Sequence, residues 1–433
     1  MSREKLPQPD PLAPAAGDSG VRLPAAAGFL ALNRTFKAFT YRDYRLLWAG
    51  SFTSSIGTWM QQVAQAWLIF TITGNPSLLA LDAFLGAAPF LLFSLFGGVF
   101  ADRFDRRKIL LSSQFVQLSS AFLLAALIAT NHVQVWMILT LSFVVGFAQS
   151  FGGPAYQALV PTLVDRKDVS NAVALNSIQF NLARVIGPVL AGIAFYKLGA
   201  AWCFALNGLS FIAVIAAILA LRRGAPVAPA SEPVWRSLKT GLRVVLDTAS
   251  LRGLVSMAFA GSFCSVALVT FLPVFAKDVF HGDAKALSAL IAAFGLGAVI
   301  GAIGVAGFGH VQRKGIVAVV TQMLFGMLMV GFALSTSKAL SYAILAIAGA
   351  ALMVIFAMFM TLVQTNVEDH LRGRVVSIYS LAFRGAMPIS NLLGAALASM
   401  ISVPTILIGN GVALFLLGSI VLLRNRADGV TSL

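Results

Sequence analysis

The sequence predicts an all-α integral membrane protein whose twelve transmembrane helices form two pseudo-symmetric six-helix bundles. Three observations carry this. Of 433 residues, 58% are hydrophobic and only 11% are charged, where a soluble domain carries about 25% charged residues. The apolar residues gather in twelve stretches, each able to cross roughly 30 Å of hydrocarbon with about 20 helical residues. The first six stretches and the last six share short similar segments.

The stretches fall at about 46–73, 77–101, 108–130, 134–153, 169–196 and 200–221, then 253–276, 284–309, 315–335, 339–362, 374–400 and 403–423. Residues 1–43 read as a Pro-, Ala- and Gly-rich disordered tail ending in an interfacial anchor of aromatics and cations. The tail has no apolar core near its start and is not a secretory signal. Residues 44–222 form the first bundle and 252–424 the second. Between them, 223–251 is a linker whose Leu238, Leu242 and Leu246 share a helix face, so it lies along the membrane surface. Residues 425–433 are a second tail.

Lys and Arg alternate in density from loop to loop. The loops on the side of the N-terminus hold Arg103 to Lys108, Arg166, Lys167, Arg313, Lys314, Arg372 and Arg374; the other side has Lys197, Lys277, Lys285 and Lys338. Positive loops stay in the cytoplasm, so both termini and the linker are expected there, in a multi-pass inner (cell) membrane protein. The same distribution accounts for the net charge of +15: the cations set topology and meet lipid headgroups, and no nucleic-acid partner is expected. Cys203 and Cys264 lie in apolar stretches as small buried hydrophobes. His132, His281, His310 and His370 lack metal spacing, and no phosphate-binding Gly-rich loop ending in Lys-Ser/Thr occurs. No enzyme, metal, cofactor or direct use of ATP is expected.

Val160-Pro-Thr-Leu-Val-Asp165 resembles Val363-Gln-Thr-Asn-Val-Glu368. The same offset aligns Val173, Ser177, Phe180, Ala183 and Ile186 with Val376, Ser380, Phe383, Ala386 and Ile389. A duplicated unit follows. The charged hairpin between the second and third stretches, Gly98 to Lys108, has a worn copy near Gly304 to Lys314, with Phe308 where Asp102 would fall.

That hairpin, Gly98-x-x-x-Asp102-Arg103-x-x-Arg106-Arg107, resembles the signature loop of the major facilitator superfamily. Phe39 to Trp48, Gly57 to Gln61 and Asn176 to Gly192 extend the resemblance to a bacterial drug and siderophore exporter group, over residues 40–425. It implies a major facilitator fold and proton antiport. It also implies that Gly98, Asp102, Arg103, Arg106 and Arg107 form a conformational latch against the start of the eleventh helix. Gly187, Pro188 and Gly192 match an antiporter-like packing motif, with Ala183 and Ala191 where further glycines usually stand. Asp105 replaces the usual loop glycine; Asp tolerates a left-handed turn. The fifth and eighth helices meet across the bundle interface in that fold, so Gly297, Gly301, Gly304 and Gly307 read as packing surface.

Asp82 is the one acid well inside an apolar stretch. An ionised carboxylate in hydrocarbon is costly, so such a residue faces a cavity and is a candidate for proton coupling. Its place about 8 Å along its helix also fits a dipole-favoured acid near a helix N-terminus. Arg184 and Arg384 are candidates for an anionic substrate group or for an acid partner; bracing of helices is the alternative. Thr58, Gln61, Gln62 and Gln65 continue a polar stripe from Ser54, and the resemblance turns the first, fourth, seventh and tenth helices toward the cavity. Gln149 and Met353, Met358 and Met360 would complete its lining.

These residues favour a monomeric secondary transporter that exports an amphipathic small molecule in exchange for protons by alternating access. A proton-independent uniporter or importer remains the alternative within transport. A membrane scaffold or sensor is the rival class, and it has no need of intramembrane ions or a polar first helix.

Overall fold

The computed structural model describes residues 36–222, 234–307 and 313–427. The expected tails at 1–35 and 428–433, the first part of the linker and the copy of the hairpin around Phe308 lie outside the described residues. Twelve long helices run through the rest: α1 Arg42–Thr73, α2 Pro76–Arg103, α3 Arg106–Ala129, α4 Val135–Leu159, α5 Val169–Leu198 and α6 Ala200–Leu219, then α7 Ala249–Thr270, α8 Ala284–Gly307, α9 Lys314–Leu334, α10 Lys338–Thr365, α11 Asp369–Ala398 and α12 Val403–Ala427. A shorter linker helix spans Val234–Asp247. No strand occurs among the described residues.

Eleven of these helices are long and apolar enough to cross a membrane. The exception is α1, which packs inside the first bundle all the same. Its Gln61, Gln62 and Gln65 lower its hydropathy because they face an interior cavity and not lipid.

The helix pairings repeat six helices on. α2 packs on α4 as α8 packs on α10; α3 packs on α6 as α9 packs on α12; α1 packs on α5 as α7 packs on α11. The two bundles meet along two seams, α2 on α11 and α5 on α8. This is the major facilitator architecture.

Small residues permit the closest crossings. A Cβ at Gly97 would overlap the carbonyl of Ser150 on α4, and one at Gly301 would overlap that of Ala350 on α10. Without a large hydrophobic driving force between helices in lipid, this close backbone approach supplies the packing. The expectation for the α8 glycines is corrected accordingly. Gly297 and Gly301 pack on Ala346 and Ala350 of α10, within their own bundle, and a Cβ at Gly304 would meet nothing within 4 Å. The seam with α5 uses other α8 positions, Ser288 and Gly295, because successive helix residues turn to different faces.

The entry to α1 is docked on the start of α5. The backbone N–H of Ala38 donates to Asn171 Oδ1 at 2.8 Å, and the Tyr41 hydroxyl donates to Asp168 Oδ2 at 2.7 Å. Asp168 also pairs with Lys37 at 3.3 Å. The carboxylate beside it pushes the Tyr41 phenol up to about 12. The linker helix repeats this docking on α11. Gly241 packs on the Arg374 backbone, and Gly241 and Arg374 each lie 203 residues beyond Ala38 and Asn171. Its buried face is Gly241 and Val245 with Leu238 beside them, while Leu242 and Leu246 are exposed. The leucines expected on one face thus divide between protein and surroundings.

The two ends of the molecule differ. Call the end that carries the start of α1 the terminal face and the opposite end the far face. One buried cluster crosses between bundles near the far face, joining Trp67, Phe70 and Leu79 to Leu268, Phe271 and Phe275. Lys277 Nζ donates across the same gap to the Phe70 carbonyl at 3.3 Å, with its ammonium 5.1 Å from the Phe70 ring centre. At the terminal face a second cluster, including Tyr44, Leu47, Ala101 and Leu159, belongs to the first bundle alone. The bundles are therefore sealed together at the far face and hold separate cores at the terminal one.

Candidate functional site

A cavity of about 480 Å³ lies between the bundles. Both bundles contribute polar and apolar residues to it. The first bundle contributes Thr58, Gln61, Gln62, Gln65, Asp82 and Gln149, with Gln117, Ser142 and Asn207. The second contributes Val266, Val269, Pro273, Ile291 and Met387, with Thr270 and Asn391 as its polar groups. The first bundle also lends apolar side chains, among them Trp59, Val63, Leu79, Leu124, Leu141 and Phe211, so its amides and carboxylate sit within a mainly apolar lining.

Asp82 is held by three helices. Ser142 Oγ of α4 donates to Asp82 Oδ1 at 2.5 Å. Gln65 Nε2 of α1 donates to Oδ1 at 3.0 Å and Oδ2 at 2.9 Å, and also reaches Ser142 Oγ at 2.9 Å. Both donors point at the carboxylate, which offsets the cost of keeping an acid inside the bundle. Asp82 is therefore not merely an acid at a helix start: its partners are side chains from neighbouring helices, and it lines the cavity. Asn207 Nδ2 of α6 likewise donates to Gln61 Oε1 at 2.6 Å. Gln61 and Gln62 both reach the cavity. Gln61 turns toward α6 while Gln62 is exposed to the open space.

Several expectations change. Met353, Met358 and Met360 do not line the cavity; Met358 is buried at 6% exposure. α10 stands behind α8 and α9, so the second wall comes from α7, α8 and α11. Arg184 and Arg384 do not line the cavity as such. They stand at the seams: the Arg184 guanidinium is 5.4 Å from the Trp59 ring and 5.5 Å from Phe294, and that of Arg384 is 5.3 Å from Phe90. Gly187 and Pro188 are buried. A Cβ at Gly187 would press on Trp59 and Met60 of α1, and one at Gly192 on Ser288 of α8. The motif thus serves one contact inside the bundle and one across the seam.

The charged hairpin is fastened to its own bundle. Arg106 donates to the carbonyls of Ala101 at 3.1 Å and Ala158 at 3.2 Å. Arg107 donates to those of Leu221 at 3.1 Å and Leu219 at 2.6 Å. Ala158 and Leu219 sit at the ends of α4 and α6, where free carbonyls attract cations. Asp105 has φ −60° and is not left-handed; its side chain caps α3 by accepting from Arg107 N–H at 2.9 Å. An N-cap favours Asp for that oxygen, whereas a left-handed turn would have favoured Gly. Arg103 is exposed, and a Cβ at Gly98 would meet nothing within 4 Å. The Asp102 side chain lies outside the described residues.

Ser142 and Asn207, with Gln117, Thr270 and Asn391, are lining residues that sequence reading passed over. Ser142 stands seven residues before Gln149, on the same face of α4, and that spacing was the available signal. Asn207 is the lone amide of α6 and carried no pattern.

Two pseudo-symmetric six-helix bundles closing one end of an interbundle cavity define a multi-pass membrane transporter with the major facilitator fold. The chain belongs to the transmembrane secretion effector family, whose model matches residues 33–431. It is 23% identical over 377 residues to macrolide efflux protein A of Streptococcus pyogenes, covering 84% of this chain and 92% of that one. It is 26% identical over 393 residues to the enterobactin exporter EntS of Shigella flexneri, covering 89% and 92%. A crystal structure of a variant of the nucleoside transporter NupG superposes with a TM-score of 0.67 at 12% identity, covering 87% of this chain and 99% of that one.

Proposed function

We propose that the protein exports an amphipathic small molecule in exchange for protons by alternating access. The observation that carries this reading is the mixed cavity: amides and Asp82 set among apolar side chains from both bundles. Such a site suits a molecule with a polar edge and an apolar body better than a sugar, which would leave the apolar lining unsatisfied. Similarity to macrolide and siderophore exporters supports export of this kind of cargo.

Asp82 is the proton carrier in this reading. As a carboxylate it accepts from Gln65 and Ser142. Protonation of Oδ2 would set a hydroxyl against the Gln65 N–H that now donates to it at 2.9 Å, while Oδ1 could still accept from Ser142. The Ser142 hydroxyl can turn and accept; the Gln65 N–H cannot. Protonation would thereby loosen the tie between α1, α2 and α4, the helices that wall the cavity.

In this reading the terminal face, both termini and the linker are cytoplasmic, an orientation that the arginine-rich loops support. The far face, sealed by Phe70, Phe271 and Lys277, is then the outer one. Asp102 and Gly98 would engage the start of α11 only in the opposite, outward-open state, which the open space beside Gly98 accommodates. In this reading one chain is the working unit, because residues of a single chain line the cavity.

Purified protein in liposomes tests the reading. An imposed pH gradient, acid on the outer side, is expected to drive accumulation of a fluorescent amphipathic dye. Equal dye movement with and without the gradient would reject proton coupling and leave a uniporter.

A further inference from the structure

Arg184 and Arg384 occupy matching places. Each precedes a helix proline, Pro188 or Pro388, by four residues, and each stacks on a phenylalanine of the opposite bundle. Arg184 of α5 lies against Phe294 of α8, and Arg384 of α11 against Phe90 of α2. Those are the two helix pairs that form the seams.

The phenylalanines fix the depth of the pairs. Ala87 and Ile291 line the cavity, one on each seam. Phe90 and Phe294 come three residues later, one turn nearer the terminal face on the same helix side. On α11 the sequence runs the other way: Met387 and Asn391 line the cavity, and Arg384 lies one turn before Met387. Both arginines therefore flank the cavity on its terminal side, at opposite seams.

Neither has a charge partner. Among the described residues no carboxylate lies within ion-pairing distance of either guanidinium, and neither makes a hydrogen bond; their contacts are ring faces. A ring face holds a guanidinium by its quadrupole and leaves the N–H edge unused. Deep in the helices the other charged group is Asp82, which is already satisfied by Gln65 and Ser142. Two cations against one committed anion leave the mouth of the cavity positive, inside low-dielectric walls where such a field is weakly screened.

We propose that Arg184 and Arg384 form an anion-selecting collar at the cavity mouth, so that the cargo is an amphipath bearing a carboxylate or comparable oxyanion. The planar guanidinium edge fits a carboxylate in two parallel hydrogen bonds. The apolar lining of the cavity then takes the body of the molecule. This inference rests on the transport reading above and names the charge of its substrate.

The test is equilibrium binding, which needs no proton gradient and so stands or falls separately from proton coupling. Protein in nanodiscs of zwitterionic lipid is titrated against the anion 5-carboxyfluorescein and the cation rhodamine 6G, read by fluorescence polarisation. The wild type is expected to bind the anion more tightly, with affinity falling as salt rises. Arg384→Gln, at an exposed site, is expected to weaken the anion about tenfold, the loss of one charge-assisted contact, and to leave the cation within about twofold. Arg384→Lys and Arg184→Lys keep the charge but lose the bidentate edge, so each should keep only part of the preference, between the wild type and Arg384→Gln. Tighter or equal binding of the cation by the wild type, binding of neither dye, or equal losses for both dyes in Arg384→Gln would overturn the proposal.

Discussion

The hydroxyl of Ser142 sits 2.5 Å from Asp82 Oδ1, a donor from α4 set against an acid on α2. With the Gln65 amide on the other side, the carboxylate binds three helices of one bundle into a single polar knot. In the proposed mechanism it is the point where a proton changes helix packing next to the cargo.

Asp82→Asn removes the titrating group and keeps its size. Gradient-driven dye accumulation in liposomes is expected to fall to background, with the protein still expressed and monodisperse. Full gradient-driven activity in this variant would remove Asp82 from the mechanism.

Adjacent glycines should behave oppositely. Gly97→Val forces a side chain into the Ser150 carbonyl and is expected to cost about 1–3 kcal/mol, seen as a lower melting temperature in detergent. Gly98→Val faces open space here and should melt like the wild type. If the latch reading holds, it loses transport all the same, because only the outward-open state closes over Gly98.

Lys277→Ala removes the bond to the Phe70 carbonyl across the far face. A neutral-acceptor bond from a charged donor contributes about 1.5–3 kcal/mol, so a rise in far-side opening of about tenfold or more is expected. A single cysteine at Gln62, probed by an impermeant thiol reagent from the far side, reports it. Cys203 and Cys264 are buried and can stay. An unchanged labelling rate would show that the apolar seal alone keeps this face shut.

The hairpin should divide into two roles. Arg107→Gln frees the carbonyls of Leu219 and Leu221 and is expected to lower the melting temperature. Asp102→Asn should lower transport with little change in melting and shift the population toward the terminal-open state. Unchanged cavity accessibility in Asp102→Asn would count against the latch.

Much of this architecture was legible in advance. Hydropathy marks the helices because lipid demands some 20 apolar residues per crossing. The polar stripe of α1 announced a cavity wall, and Asp82 announced itself by its cost. The partners were not legible. Ser142 is an ordinary serine until α4 brings it to Asp82, and the methionines of α10 share the composition of a cavity lining without its position.

The sequence by itself determined the class: an all-helical membrane protein with two similar halves, positive on one side, with an acid and two arginines inside. Those are properties of composition, periodicity and charge, which act locally along the chain. Only the tertiary structure decided which faces met. It turned the α8 glycines onto α10 and fastened Arg106 and Arg107 to helix ends of their own bundle. It also set Arg184 and Arg384 against phenylalanines at two matching seams. The reason is geometric: helix periodicity fixes which residues share a face, while the choice of neighbour for that face depends on contacts between helices far apart in the chain.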